Sequence, residues 1–283
     1  MEVNTLWLSW LFVPILIAAL FVATMLPAAR GNRIAWLVFD ALGVALGVFS
    51  IPPRWLGLSG DTSMILVWLI VIPLAAGVIA GLVARRSQLA SRWISLLAMV
   101  AGFAVIVRLW AENYSHISLL TQQQWLAQID VPWIAGFGIH FHLAMDGMSM
   151  VLLALTFLLG IASVMISWRE IHDGVGFFHF NLLWVIAGIV GVFLAMDLFL
   201  FYFTWELMLI PMYFLIAIWG HERRIYASVK FFLFTQLSGL LMLLAILTLY
   251  FAHHAATGVY TFDYSALIGT PLSPHIALLV MLG

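Results

Sequence analysis

No cysteine occurs in the 283 residues, so disulfides, thiolate zinc sites and cysteine-ligated iron–sulfur clusters are excluded, and any electron transfer must take place on another chain. Charge is almost as scarce: Asp, Glu, Lys and Arg make up 8% of the chain, the formal net charge is -1, and lysine occurs once, at Lys230. The 11 Lys and Arg are too thinly spread to make a basic patch, which sets nucleic acid aside. A Gly-rich phosphate loop, a Ser nucleophile elbow and a Cys/His couple are also missing, so group-transfer catalysis has no support here. What the chain has in excess is apolar surface. With 65% hydrophobic residues and a mean hydropathy of +1.14, no aqueous core could hide these side chains, and lipid is the solvent they fit.

Apolar runs long enough to cross about 30 Å of hydrocarbon at 1.5 Å per residue fall at 6–28, 34–51, 64–84, 93–110, 147–167, 177–196, 198–219 and 228–251, and a last run beginning near Ile276 is cut off at Gly283. The expected fold is therefore an all-α polytopic membrane bundle of about eight complete helices and a truncated one. The first run, Leu6 to Pro27, is too long for a signal h-region and has no basic segment before it, so it reads as a retained span. Asp197 is the natural turn between two spans in the long apolar stretch from Asn181 to Trp219. Starting from an external N-terminus, Arg30, Arg33, Arg85, Arg86, Arg92, Arg169, Arg223, Arg224 and Lys230 fall inside, whereas only Arg54 and Arg108 fall outside. Cytoplasmic loops carry such an excess. The long stretches Ala111–Asp146 and His253–Ser273 then read as external loops.

One acid breaks the apolar pattern. Glu206 stands with no other Asp, Glu, Lys, Arg or His between Asp197 and His221. A carboxyl in mid-span costs a few kcal/mol at least and commonly marks an ion path, a proton relay or a buried pair. It is read as a proton-path residue, with a static packing tether as the competing role. Pro211 adds to the first reading, because its missing N–H leaves the Leu207 carbonyl, next to Glu206, without its helical donor. Measured along the helices, Glu206 lies about 20 Å from the inner surface and Lys230 about 3 Å, so a direct pair is not expected. Lys230 then snorkels to the headgroups or stands at a proton-path entrance. Asp197 reads as a turn and capping acid at the outer surface, or as part of a proton exit. The nine His fall in loops or at helix ends. His140, His142 and Asp146, or His253 and His254, have spacings that a metal site could use, but equally those of plain interfacial residues.

Four segments carry a family resemblance: Asp130 to Gly147, Asn181 to Asp197, Phe203 to His221 and Lys230 to Gln236. From Met64 onward the chain resembles the M-type subunits of bacterial respiratory complex I, the proton-pumping NADH:quinone oxidoreductase. That resemblance implies an antiporter-like fold, a place in the bacterial inner membrane among the other membrane-arm subunits, and proton movement coupled to electron transport. It also implies that NADH, FMN, iron–sulfur clusters and quinone belong to partner subunits, with no cofactor or metal on this chain. Glu206 matches the family's proton-path glutamate, whose usual lysine partner would lie beyond Gly283. Lys230 matches a lysine of close relatives. Residues 1–63, with two spans, match nothing in the family and read as an extra segment, leaving 64–283 as the N-terminal part of the antiporter-like subunit. Subunits of sodium/proton antiporter complexes and membrane-bound hydrogenases share the Glu-bearing helix and remain alternatives, as does a structural scaffold.

Overall fold

A computed structural model describes residues 63–113 and 125–282. The spans expected at 6–28 and 34–51, the extra segment 1–63 and the first part of the loop after Ala111 lie outside the described residues. The remainder is predominantly helical. α1 (Ser63–Val83), α2 (Gln88–Asn113), α3 (Gly147–Glu170), α4 (Val175–Leu194), α5 (Leu198–Trp219) and α6 (Arg224–Thr257) are each long and apolar enough to cross a membrane. A one-turn helix, α7 (Tyr264–Leu267), and α8 (Pro274–Leu282) follow. Six spans among the described residues stand where the sequence pattern placed six of its eight. The pattern set the ends of α2 and α6 too short, because Gln88, Arg92, Arg224 and His254 lower the hydropathy of a helix without ending it.

The all-α expectation needs one correction. Between α2 and α3, β1 (Ala127–Ile134) and β2 (Ile139–Met145) pair antiparallel, from Ala127 opposite Met145 to Ile134 opposite Ile139, with an irregularity between Pro132 and Ile134. The turn requires Gly138: its φ is +65°, and a side chain there would run into the Tyr260 carbonyl. Tyr250 donates its hydroxyl to the Phe137 carbonyl at 3.0 Å and stacks on Phe262, so the hairpin is fastened to the end of α6 and to the loop after it. We call this the hairpin end of the bundle. The other end carries the turns at 84–87, 171–174 and 220–223.

α4 is the hub. It packs on α1, α2, α3 and α5, and its Leu183, Ala187, Val190 and Leu194 are fully buried. Packing in a bilayer gains little from the hydrophobic effect, so close backbone approach matters instead. Gly188 and Gly191 supply it: a Cβ on Gly191 would fall 2.6 Å from the Thr204 methyl, and one on Gly188 2.9 Å from Met208 Cβ. This contact holds α5 tightly on one side and turns its other side toward α6. α6 packs chiefly on α5 and α8. Among the described residues, one face of α6, including Phe234 and Leu237, is open.

Candidate functional site

Glu206 sits on the α5 face that meets α6. Tyr202, one turn earlier on α5, shares that face, and Gln236 and Gly239, three residues apart, share the facing side of α6. Gln236 Nε2 donates to Glu206 Oε2 at 3.2 Å, and the Tyr202 hydroxyl is a second hydrogen-bond partner of the carboxyl. Oε1 is buried and has no hydrogen-bond partner. It lies against the backbone of Gly239, where an added Cβ would stand 2.6 Å away. One oxygen thus accepts a neutral donor and the other is buried without a hydrogen-bond partner among the described residues, which is costly for a group kept only for packing. Pro211 lies one turn further on within the continuous helix, so the Leu207 carbonyl beside Glu206 lacks its usual donor as well.

Lys230 is not brought to this carboxyl, although the separation estimated along the axis changes. α6 begins at Arg224, so Lys230 lies about 9 Å into the helix and about 9 Å short of Gln236. The sequence estimate counted the helix from residue 228 and so set Lys230 about 6 Å too shallow. What separates the two groups is direction, since nine residues at about 100° each put Lys230 on the side of α6 opposite Gly239. Its Nζ lies 5.8 Å from the ring centroids of both Tyr226 and Phe234, and the side chain is exposed.

Asp197 is capping, but it is not at an exposed surface; the residue is fully buried beneath the hairpin. Its Oδ1 accepts the Phe199 and Leu200 N–H groups at 2.9 and 3.0 Å, and Oδ2 accepts the His140 N–H at 2.9 Å. One carboxyl therefore ends α5 and anchors β2. Burial pushes it above the usual carboxylate range, against the pull of those N–H groups and of His140. The adjacent backbone is gripped on both sides: Met196 N–H donates to the His142 carbonyl, and Tyr264 N–H to the Met196 carbonyl, both at 2.9 Å.

His140 and His142 depart from the expected loop and helix-end positions and lie within β2, whereas His253 and His254 lie in the last turns of α6. His179 is fully buried inside α4, with neither ring nitrogen bonded. His140 Nδ1 meets Asp130 Oδ1 at 2.7 Å. His142 is buried between two partners: Gln128 Nε2 donates to its Nε2 at 2.7 Å, and its Nδ1 donates to Asp263 Oδ2. Asp263 also caps α7 through the Ser265 and Ala266 N–H groups at 2.9 and 3.2 Å. Burial works against the ionised Asp263, but the bonds from Ser265 and His142 outweigh it and hold the carboxyl below its usual range. Asp146 is taken up at the start of α3, where it accepts the Ser149 N–H at 2.7 Å. Among the described residues no three His, Asp or Glu side chains gather as a metal site would need.

Glu206, Lys230 and Asp197 are thus in three separate places. Gln236, Gly239, Tyr202 and Asp263 were not singled out from the sequence. An amide with a glycine three residues on, in an otherwise apolar run, was the one available sign of the first two.

Residues 195–282 match the family described as "NADH:quinone oxidoreductase/Mrp antiporter, TM". NADH-quinone oxidoreductase subunit M of Pseudomonas aeruginosa is 51% identical over 228 residues, covering 78% of this chain and 45% of that protein. Subunit M of Escherichia coli K12 is 49% identical over 226 residues, covering 78% and 44%. A chain of respiratory complex I from Thermus thermophilus with bound NADH superimposes with a TM-score of 0.61 at 24% identity, over 77% of this chain and 42% of that one, a likeness of fold. This chain spans less than half the length of the curated relatives it matches.

Proposed function

We propose that this chain, which belongs to the NADH:quinone oxidoreductase/Mrp antiporter family through its kinship with subunit M, conducts protons in the membrane arm of a bacterial complex I, with Glu206 as the residue that takes up and releases them. The carrying observation is the Glu206 carboxyl between two helices, with the neutral donor Gln236 on one oxygen and, among the described residues, no partner on the other, buried one. A carboxyl oxygen without a partner can take a proton or accept a donor, and its helix offers a second acceptor at the Leu207 carbonyl. Electrons move elsewhere: the chain has no cysteine to ligate an iron–sulfur cluster, and it acts as a translocase subunit beside partners that hold NADH, FMN, iron–sulfur clusters and quinone.

In this proposal residues 64–283 are the antiporter-like part and residues 1–63 a separate segment. The cationic partner of Glu206 is not Lys230. Lys230 stays near the end of the bundle that faces the cytoplasm, and Asp197 works as a clamp at the opposite end. The orientation follows from the Lys and Arg distribution, with the hairpin end outside. Because the chain has no native cysteine, side-specific labelling of Arg223→Cys reads it directly, and labelling from the outer face would reverse it.

The experiment for Glu206 uses the complete subunit in its complex. Gln keeps size and hydrogen bonding but cannot ionise, so Glu206→Gln leaves assembly intact and lowers proton pumping coupled to quinone reduction by roughly an order of magnitude or more. Normal pumping in inverted vesicles by an assembled Gln variant would make Glu206 a packing tether. The family description also covers Mrp antiporters. Sodium/proton exchange without NADH oxidation, blocked by the same substitution, would move the chain to that class.

A further inference from the structure

Glu206 is reached from α6 by two residues whose side chains have no other evident reason for their identity. Gln236 is an amide in an apolar helix, and Gly239 is a glycine in a continuous α-helix, where glycine costs about 1 kcal/mol relative to alanine. Both lie on the face turned to α5, and both meet the same carboxyl, one at each oxygen. Gly239 is buried, and its would-be Cβ would stand 2.6 Å from Oε1 and 3.8 Å from Cδ of Glu206. Beyond its own helix backbone, no other atom of the described residues lies within 4 Å of that Cβ. The helix gives up a side chain at the one point where the acid needs the volume.

From this geometry we infer that Gln236 and Gly239 are positioning residues for the Glu206 carboxyl: the amide fixes Oε2, and the missing Cβ leaves Oε1 a pocket against the α6 backbone. This rests on the proton-path reading and deepens it by naming what sets the carboxyl's position and its readiness to ionise. A donor to a carboxylate favours its charged form, so Gln236 tunes the pH at which the site works. Gly239 decides whether Oε1 lies in the interface at all. Neither residue touches the proton in transit; both act through Glu206. Tyr202 completes the grip from the acid's own helix.

The test uses the complete subunit in its assembled complex. Gln236→Leu removes the donor and keeps the volume, and Gln236→Met supplies a second donorless side chain should Leu hinder assembly. The assembled variant shows a pumping rate whose pH profile is displaced to higher pH by about one unit. Gln236→His, which retains a donor, restores most of the original profile. Gly239→Ala lowers pumping at every pH without that displacement, because the carboxyl is pushed from its place. A merely structural role for Gln236 would lower the amount of complex but leave the pH profile of what assembles unchanged, and that result overturns the inference. The Glu206→Gln control keeps the two proposals apart. If it pumps normally, the proton-path reading fails; if it is inactive while Gln236→Leu and Gln236→Met keep the wild-type profile, the positioning role alone fails.

Discussion

Asp197 and Glu206 share the α5 region, one at its cap and one within it, and they are treated in opposite ways. Asp197 is fully buried yet saturated, with three backbone N–H groups from two elements on its two oxygens. Glu206 accepts a side-chain donor, Gln236, on one oxygen, and its other oxygen is buried with no hydrogen-bond partner among the described residues. A carboxyl that ties backbone to backbone cannot turn away without loosening what it ties. A carboxyl held by side chains can. On the proposed reading the first acid serves structure and the second proton traffic, although both are rare acids in an apolar chain and look alike in one dimension.

The strongest way to break this comparison is to remove the saturated acid. Asp197→Ala strips the cap from α5 and leaves the part-buried His140 N–H without its acceptor, for a loss of about 2–5 kcal/mol. The expected outcome is poor assembly and early unfolding in detergent, with hydrogen exchange accelerated at His140, Leu198 and Tyr264 together. Glu206→Gln, by contrast, leaves stability nearly unchanged. If Asp197→Ala assembles normally and fails only in pumping, Asp197 belongs to an exit path and the contrast is wrong.

A middle-sized effect concerns pH at the hairpin end, where two acids shift in opposite directions. Asp263 is held below the usual carboxylate range, so its contribution to the cap is present at neutral pH and is lost as pH falls through that depressed value. Asp197 is raised, so its ionised form is the costly one, and the cap gains stability as pH falls from neutral through that raised value. Protection of the Tyr264 amide, corrected for intrinsic exchange rates, should therefore pass through a maximum on the acid side of neutrality. Asp263→Asn removes the acid limb and Asp197→Asn the neutral one. Because His140 and His142 sit in the same cluster, the two variants are compared with each other as well as with the parent. A flat profile in the parent would show that neither carboxyl is coupled to the cap.

How much of this was readable in one dimension differs between the two regions for a physical reason. Spans follow from local apolar length, so the six described helices were in the pattern, and so was the isolation of Glu206. The hairpin was not, because Pro132, Gly136 and Gly138 read as loop and the pairing register runs from Ile134 opposite Ile139 out to Ala127 opposite Met145, beyond the reach of local periodicity. The His142–Asp263 bond joins residues separated by 121 positions, which no local periodicity encodes. Gln236 and Gly239 become meaningful only when α5 is laid against α6. The depth of Lys230 was misjudged because a helix continues through charged residues that a hydropathy window excludes. Its direction, however, was recoverable from helical phase, since Lys230, Phe234, Leu237 and Leu241 repeat on the exposed side.

That phase supplies the smallest expected effect and the finest test of the comparison. Lys230 has no carboxylate within ion-pair distance among the described residues, and its attachments are the Tyr226 and Phe234 rings at 5.8 Å. Contacts of this kind at an exposed site contribute about 0.5–1 kcal/mol. Lys230→Met keeps the aliphatic stem and removes the charge, so it should assemble fully, shift thermal unfolding of the purified complex by no more than a few degrees, and reduce pumping far less than Glu206→Gln. Lys230→Arg should be indistinguishable from the parent. A loss of pumping in Lys230→Met equal to that of Glu206→Gln would mean that a cation on the open face of α6 governs the acid on the other, and the division between a trafficking carboxyl and its static surroundings would have to extend through the helix to that face.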